Sequence, residues 1–272
     1  TLKGTIIDPK TTPYLYITVA GNLKFEPGSS LQNDVHIRYV KHSTAVDGAE
    51  GSGWLHFNSE SSGSTVSNCK NIVVDIDGED TSIEINNSEV WLLLRDTGTE
   101  VNIEGSIIFG TPPWTGNNKM HNFTATNTSF IGDLIIEVDS PECSPKFTNC
   151  EFASPVTLRY RNSGEFTNCV FGYELIFEDH YVGGGILRWD DNSTIQPTFS
   201  GNSFVGRNGP RCFSNPPTPI DLGVNYYGDK KPNFESAPTN TFLTREIYIN
   251  KNVFNVTSWN TSGPEMKNQK KL

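Results

Sequence analysis

Phe147-Thr148-Asn149-Cys150-Glu151-Phe152 recurs nineteen residues later as Phe166-Thr167-Asn168-Cys169-Val170-Phe171. Looser copies surround the pair: Val66-Ser67-Asn68-Cys69, Ala125-Thr126-Asn127-Thr128-Ser129-Phe130, Phe199-Ser200-Gly201-Asn202-Ser203-Phe204 and Ile249-Asn250-Lys251-Asn252-Val253-Phe254. With the Asn as register mark, the positions are 68, 87, a Gly at 105, 127, 149 and 168, in steps of 19, 18, 22, 22 and 19 residues. A period near twenty with variable insertions is the signature of a solenoid.

Within each unit, Ile83-Glu84-Ile85 and Val156-Thr157-Leu158-Arg159-Tyr160 alternate as strands do, one side inward and one outward. No helical periodicity competes with them, and the Leu framework of a leucine-rich repeat is missing. The expectation is all-β: a single-domain, right-handed parallel β-helix of about ten coils over 1–272, with long loop insertions. Asn, or Gly105, at a fixed point of each coil fits a turn in the left-handed region, which these residues reach most cheaply. Stacking in register puts Phe130, Phe152 and Phe171 in one interior column and sets Cys150 beside Cys169.

Two passages resemble bacterial extracellular parallel β-helix proteins of the pectate-lyase-like superfold. Residues 13–31, with Glu26-Pro27-Gly28, look like their opening coil, and Asn225-Tyr226-Tyr227-Gly228-Asp229 is similar to the turn that often closes their last coils. The resemblance implies the parallel β-helix. It extends to polysaccharide lyases, hydrolases, tailspikes, adhesins and cellulose-binding tāpirin-like proteins, so it does not choose among functions. It also implies an extracellular setting, secreted or attached to the cell surface. The first residue, Thr1, reads as the start of a mature form or of an excised domain.

The net charge of −10 comes from scattered acidic residues, and no basic stripe exists to meet phosphates, so nucleic acid is not an expected partner. No run approaches the about 20 apolar residues of a membrane-spanning helix. Anionic polysaccharides would be repelled unless calcium bridged the two, which leaves a neutral glycan such as cellulose, or a protein surface. The chain is expected as a monomer or as part of a larger chain.

Residues 1–40 read as a capping coil and 240–272 as a C-terminal cap and tail, while 41–63, 109–122, 178–197 and 207–224 read as loop insertions. Those loops supply the carbohydrate-stacking candidates Trp54, Trp114, Tyr181 and Trp189. The competing reading is that each ring packs its loop onto the coil. Two outward charge rows form the enzyme-like alternative, a lyase or a glycoside hydrolase on the 137–191 face. Ten residues beyond the Asn marks stand Glu137, Arg159 and Glu178; twelve beyond stand Asp139, Arg161 and His180. Carboxylates two strand spacings apart lie about 9–10 Å from one another, at the outer limit for hydrolysis. An intervening Arg also keeps them ionised, which favours an ion-pair ladder over a catalytic pair. Asp75, Asp77, Glu79 and Asp80 offer oxygen ligands suited to Ca²⁺ without the spacing of a calcium loop, and a solvated turn competes. No other cofactor is expected. The favoured reading is a non-catalytic adhesin for a neutral polysaccharide, with the enzyme and a purely structural segment of a larger surface protein as alternatives.

Overall fold

The computed structural model describes residues 5–6, 15–19, 21–31, 35–39, 43–78, 80–95, 99–110, 122–132, 134–138, 145–154, 156–160, 164–172, 175–178, 180–182, 186–188, 197–205, 210–212, 219–228 and 254–265. Nearly all pair as short parallel strands, with a single 3₁₀ turn at Ser59–Ser61 among the described residues. The architecture is a parallel β-solenoid. The chain divides into two compact units, Thr1–Thr128 and Ser129–Leu272, and the same repeat builds both.

In the first unit, one sheet runs through Leu15–Val19, Val35–Tyr39, Trp54–Phe57, Lys70–Ile76, Glu89–Leu94 and Ile107–Phe109. A second sheet runs through Leu23–Lys24, Ala45–Asp47, Ser64–Ser67, Ser82–Asn86, Glu100–Glu104 and Asn122–Thr126. Alternation sends Ile37, Leu55, Val74 and Leu92 inward from the first sheet, and Val46, Val66, Ile85, Ile103 and Ala125 inward from the second. Each fully buried aliphatic side chain contributes about 1.5–3 kcal/mol by leaving water, so these columns supply much of the unit's stability.

Among the described residues the second unit has three longer parallel sheets beside the short parallel pair of Ile220–Asp221 with Phe254–Asn255. Ser129–Ile131, Glu151–Phe152, Val170–Phe171 and Ser203–Phe204 form one, and Lys146–Thr148, Glu165–Thr167 and Thr198–Ser200 another. Leu134–Val138, Val156–Tyr160, Leu175–Glu178 and Pro210–Cys212 form the third. The expected phenylalanine column is present and longer than the sequence indicated. Phe130, Phe152, Phe171, Phe204 and Tyr227 stack with centroids 4.8–5.3 Å apart. A second column, Phe147, Phe166 and Phe199, stacks at 4.9 and 5.1 Å and meets the first mostly edge to face. Offset and edge-on contacts suit the ring quadrupoles, so both columns are favourable at once.

The turn between sheets behaves as its residues require. Asn68, Asn87, Gly105, Asn127, Asn149, Asn168 and Gly201 all have φ between 49° and 65°. The next residue is buried, and its side chain links rungs. In the first unit Cys69 N–H donates to Ser88 Oγ, Ser88 N–H to Ser106 Oγ and Ser106 N–H to Thr128 Oγ1, at 3.1, 3.1 and 3.4 Å. In the second, Cys169 N–H donates to Asn202 Oδ1 and Asn202 N–H to Asn225 Oδ1, at 2.8 and 2.9 Å. Small acceptors thereby satisfy backbone donors that would otherwise be orphaned inside the coil. Cys69, Cys150 and Cys169 are free thiols at this position. Burial pushes the Cys69 thiol up to about 11 and raises Cys169 as well, which keeps both un-ionised and unreactive.

Several expected insertions are ordinary rungs. Residues 41–63 contain the strands Ala45–Asp47 and Trp54–Phe57, because Val46, Leu55 and Phe57 keep the inward alternation between Gly- and Ser-rich turns. Within 207–224, Pro210–Cys212 pairs with Leu175–Glu178, and Ile220–Asp221 pairs with Phe254–Asn255. Within 1–40, Leu15–Val19 and Val35–Tyr39 already belong to the main ladder.

Candidate functional site

The outward side of the first unit's first sheet carries the densest chemistry among the described residues. In register, Tyr16, His36, Trp54, Val73, Trp91 and Phe109 are successive cross-strand partners. Two residues further along each strand, Thr18, Arg38, His56, Asp75 and Leu93 form the neighbouring row. Partners in a parallel sheet sit about 4.8 Å apart, so planar side chains in one row stack without any loop to hold them. His36 stacks on Trp54 at 5.3 Å and lies 4.8 Å from His56 between centroids, and Trp54 stacks on His56 at 5.7 Å. Tyr16 tilts against His36 at 5.3 Å, and the Arg38 guanidinium lies 4.4 Å over the Tyr16 ring. Further along the row Trp91 meets Phe109 at 5.5 Å. Tyr16 is 50% exposed and Trp91 37%, so the row opens to solvent at these two rings, whereas His36 is buried.

A hydrogen-bond chain joins the two rows. Asp75 is buried and accepts from Arg95 through both oxygens, Nε to Oδ1 at 2.6 Å and Nη2 to Oδ2 at 3.0 Å. His56 Nδ1 lies 2.8 Å from the same Oδ2. On its other side, His56 Nε2 faces His36 Nδ1 at 2.6 Å. Burial pushes Asp75 upward, but the hydrogen bonds and charges of His56 and Arg95 outweigh it and hold the carboxyl below its ordinary value. Asp75 therefore stays ionised and fixes His56 as an Nδ1–H donor. Of the two facing nitrogens, His56 Nε2 and His36 Nδ1, one donates and the other accepts.

This geometry revises the acidic-turn expectation. Asp75 is committed to Arg95 and His56 on the sheet and is not available as a calcium ligand. Asp77 and Asp80 are exposed, and Glu79 lies outside the described residues. Trp54 stands on a strand within the aromatic row, not on a loop. Glu137, Arg159 and Glu178 are cross-strand partners in the second unit, as the counting indicated. Asp139 and Arg161 lie outside the described residues. His180 does not continue their row: it starts the strand His180–Val182, which pairs antiparallel with Ile186–Arg188. Tyr181 lies on that hairpin opposite Leu187. Trp114 and Trp189 lie outside the described residues.

No protein-family model matches this chain, and no curated protein or solved structure does either. The solenoid therefore rests on the strand pairing itself, and the site on its own geometry.

The sequence reading missed His36, Arg38 and the Asp75–Arg95 pair. The signal was there: His36, His56, Asp75 and Arg95 follow one another at steps of 20, 19 and 20 residues, the period of the repeat. The Asn ruler begins at residue 68, and the first rungs were read as a cap and a loop. Chemically, the face offers rings, amphipathic imidazole and indole edges and one stacked cation. Its carboxylate is locked in the ionised form, the wrong state for a general acid.

Proposed function

We propose that the chain is a secreted or cell-surface binding module that holds a neutral polysaccharide, without cleaving it, along the outward side of the first unit's first sheet. The observation that carries this reading is the rung-by-rung alignment of Tyr16, His36, Trp54, Trp91 and Phe109 in one row. Rings at the strand spacing, interrupted by Val73 between Trp54 and Trp91, offer an extended glycan apolar contacts, and exposed aromatics in one row are the kind of patch that marks an interaction surface. Tyr16 and Trp91 are the exposed rings of that track, and Arg38 provides hydrogen-bond donors beside Tyr16. The net charge of −10 supports a neutral ligand over a polyanion.

Pull-down on insoluble cellulose and xylan, with soluble sugars assayed in the supernatant, tests the proposal. Retention without released sugar is expected. Ring contacts contribute about 0.5–1.5 kcal/mol each, so Tyr16→Ala with Trp91→Ala should weaken retention about tenfold. Retention that survives both substitutions unchanged, or release of product, refutes the reading.

A further inference from the structure

The contact between His36 and His56 does more than order two rings. Their facing nitrogens are 2.6 Å apart and their ring centroids 4.8 Å apart with 13° between the planes, so the two rings meet edge to edge and nearly coplanar. Only one proton fits between those nitrogens. With a proton on each, two N–H groups point at one another, and His56, whose Nδ1–H already faces Asp75, becomes a cation. The same rings form part of the aromatic row, with His36 between Tyr16 and Trp54 and His56 against Trp54. A change in the pair therefore moves the row.

We propose that His36 and His56 form a proton-operated latch: one shared proton closes it and aligns the aromatic row, and a second proton opens it and releases the glycan. The glycan half of this statement rests on the binding reading above; the latch itself rests on the geometry. Imidazole is the side chain whose charge ordinarily changes between about pH 5 and 8, so acidification across that range is the test of the latch.

The groups facing the pair among the described residues fix the direction. Arg38 on the strand of His36 and Arg95 after the strand Glu89–Leu94 both oppose a further positive charge. Asp75 faces His56 Nδ1 through Oδ2 and is shared with Arg95. Asp77, just beyond the strand of Asp75, is exposed and acts on Arg95. Tyr16 from the strand Leu15–Val19 is uncharged through this range and carries Arg38 on its ring. In the closed arrangement the 2.6 Å gap leaves no place for a second proton between the nitrogens. The latch is closed at the alkaline end and opens on acidification.

The experiment follows glycan retention by the full chain from about pH 8 to pH 5. The contribution of Trp54 to fluorescence is followed in parallel, isolated by difference from Trp54→Phe. His36→Asn is the key variant: its amide occupies the Nδ1 position, can bond His56, and cannot take a charge. His56→Asn serves the same purpose should His36→Asn fail to fold. Retention in the unmodified chain should fall at least tenfold with a matching fluorescence step; because His36 belongs to the binding row, the Asn variant is read by fluorescence, which should show no step. A flat response in the unmodified chain overturns the latch. So does an equal fluorescence step in chain and variant, because the proton then acts elsewhere. If no glycan is held at any pH, the binding reading fails by itself, and the latch is decided by fluorescence alone: a step absent from the variant supports it, and no step overturns it.

Discussion

Asp75 is a carboxylate on the outward side of a sheet that is nonetheless buried, held by a bidentate Arg95 and by His56. Burying such a pair gains little, because desolvation cancels much of the attraction, but removing one partner strands the other charge. Arg95 is half-exposed and can turn to solvent, so Asp75→Ala should cost about 1–3 kcal/mol in urea unfolding, still more than an exposed ion pair such as Lys24–Asp47. The acid response has a definite sign. Asp75 is held below its ordinary value in the folded chain, so its contribution is present above about pH 4, the unfolded value, and is lost as the pH falls below it. Thermal unfolding of the unmodified chain and of Asp75→Asn should converge below that pH; curves that stay equally separated would show that the carboxylate's charge is not what stabilises. None of this was legible from a local motif. Asp75 sits in Asp-Ile-Asp-Gly-Glu-Asp, which reads as an acidic turn, and its partners are 19 and 20 residues away on other rungs.

At the scale of the element, the turn is where sequence and conformation correspond best. A left-handed residue costs an ordinary L-side chain about 1–2 kcal/mol, less for Asn and nothing for Gly. That is why Asn and Gly alternate at this place and why their spacing revealed the coil. Asn87, with φ of 49°, is a clean probe. Asn87→Ala should lower the melting temperature by about 2–4 °C, and Asn87→Gly should leave it nearly unchanged. Equal effects would mean that the Asn side chain matters more than the backbone angle. The strands were legible for the same local reason, since alternation is written within five residues, as in the inward Ile83 and Ile85 around Glu84. The rungs between 43 and 63 were not, because Gly48, Gly51, Gly53 and Gly63 punctuate strands of only three or four residues. The aromatic row was illegible for a different reason. Outward positions carry no alternation of their own, and only register across rungs brings Tyr16, His36 and Trp54 together.

For the whole molecule, two compact units each hold their own core, aliphatic columns in the first and phenylalanine columns in the second. Repeat arrays of this kind owe their stability to neighbouring rungs and depart from all-or-none unfolding. In urea, tryptophan fluorescence and far-ultraviolet circular dichroism should give transitions that do not coincide; superimposed curves would argue for one cooperative unit. The small acceptors after each turn have a consequence for how such a chain changes over generations. Ser88 and Ser106 each receive one bond from the rung before and hand on one of the same kind, the run ending at Thr128, and Asn202 does so with an amide toward Asn225. Because each link is identical in form, a whole coil can be duplicated or deleted by recombination and the joint still closes. Chain length is then a heritable variable, and any face built on rungs lengthens with it.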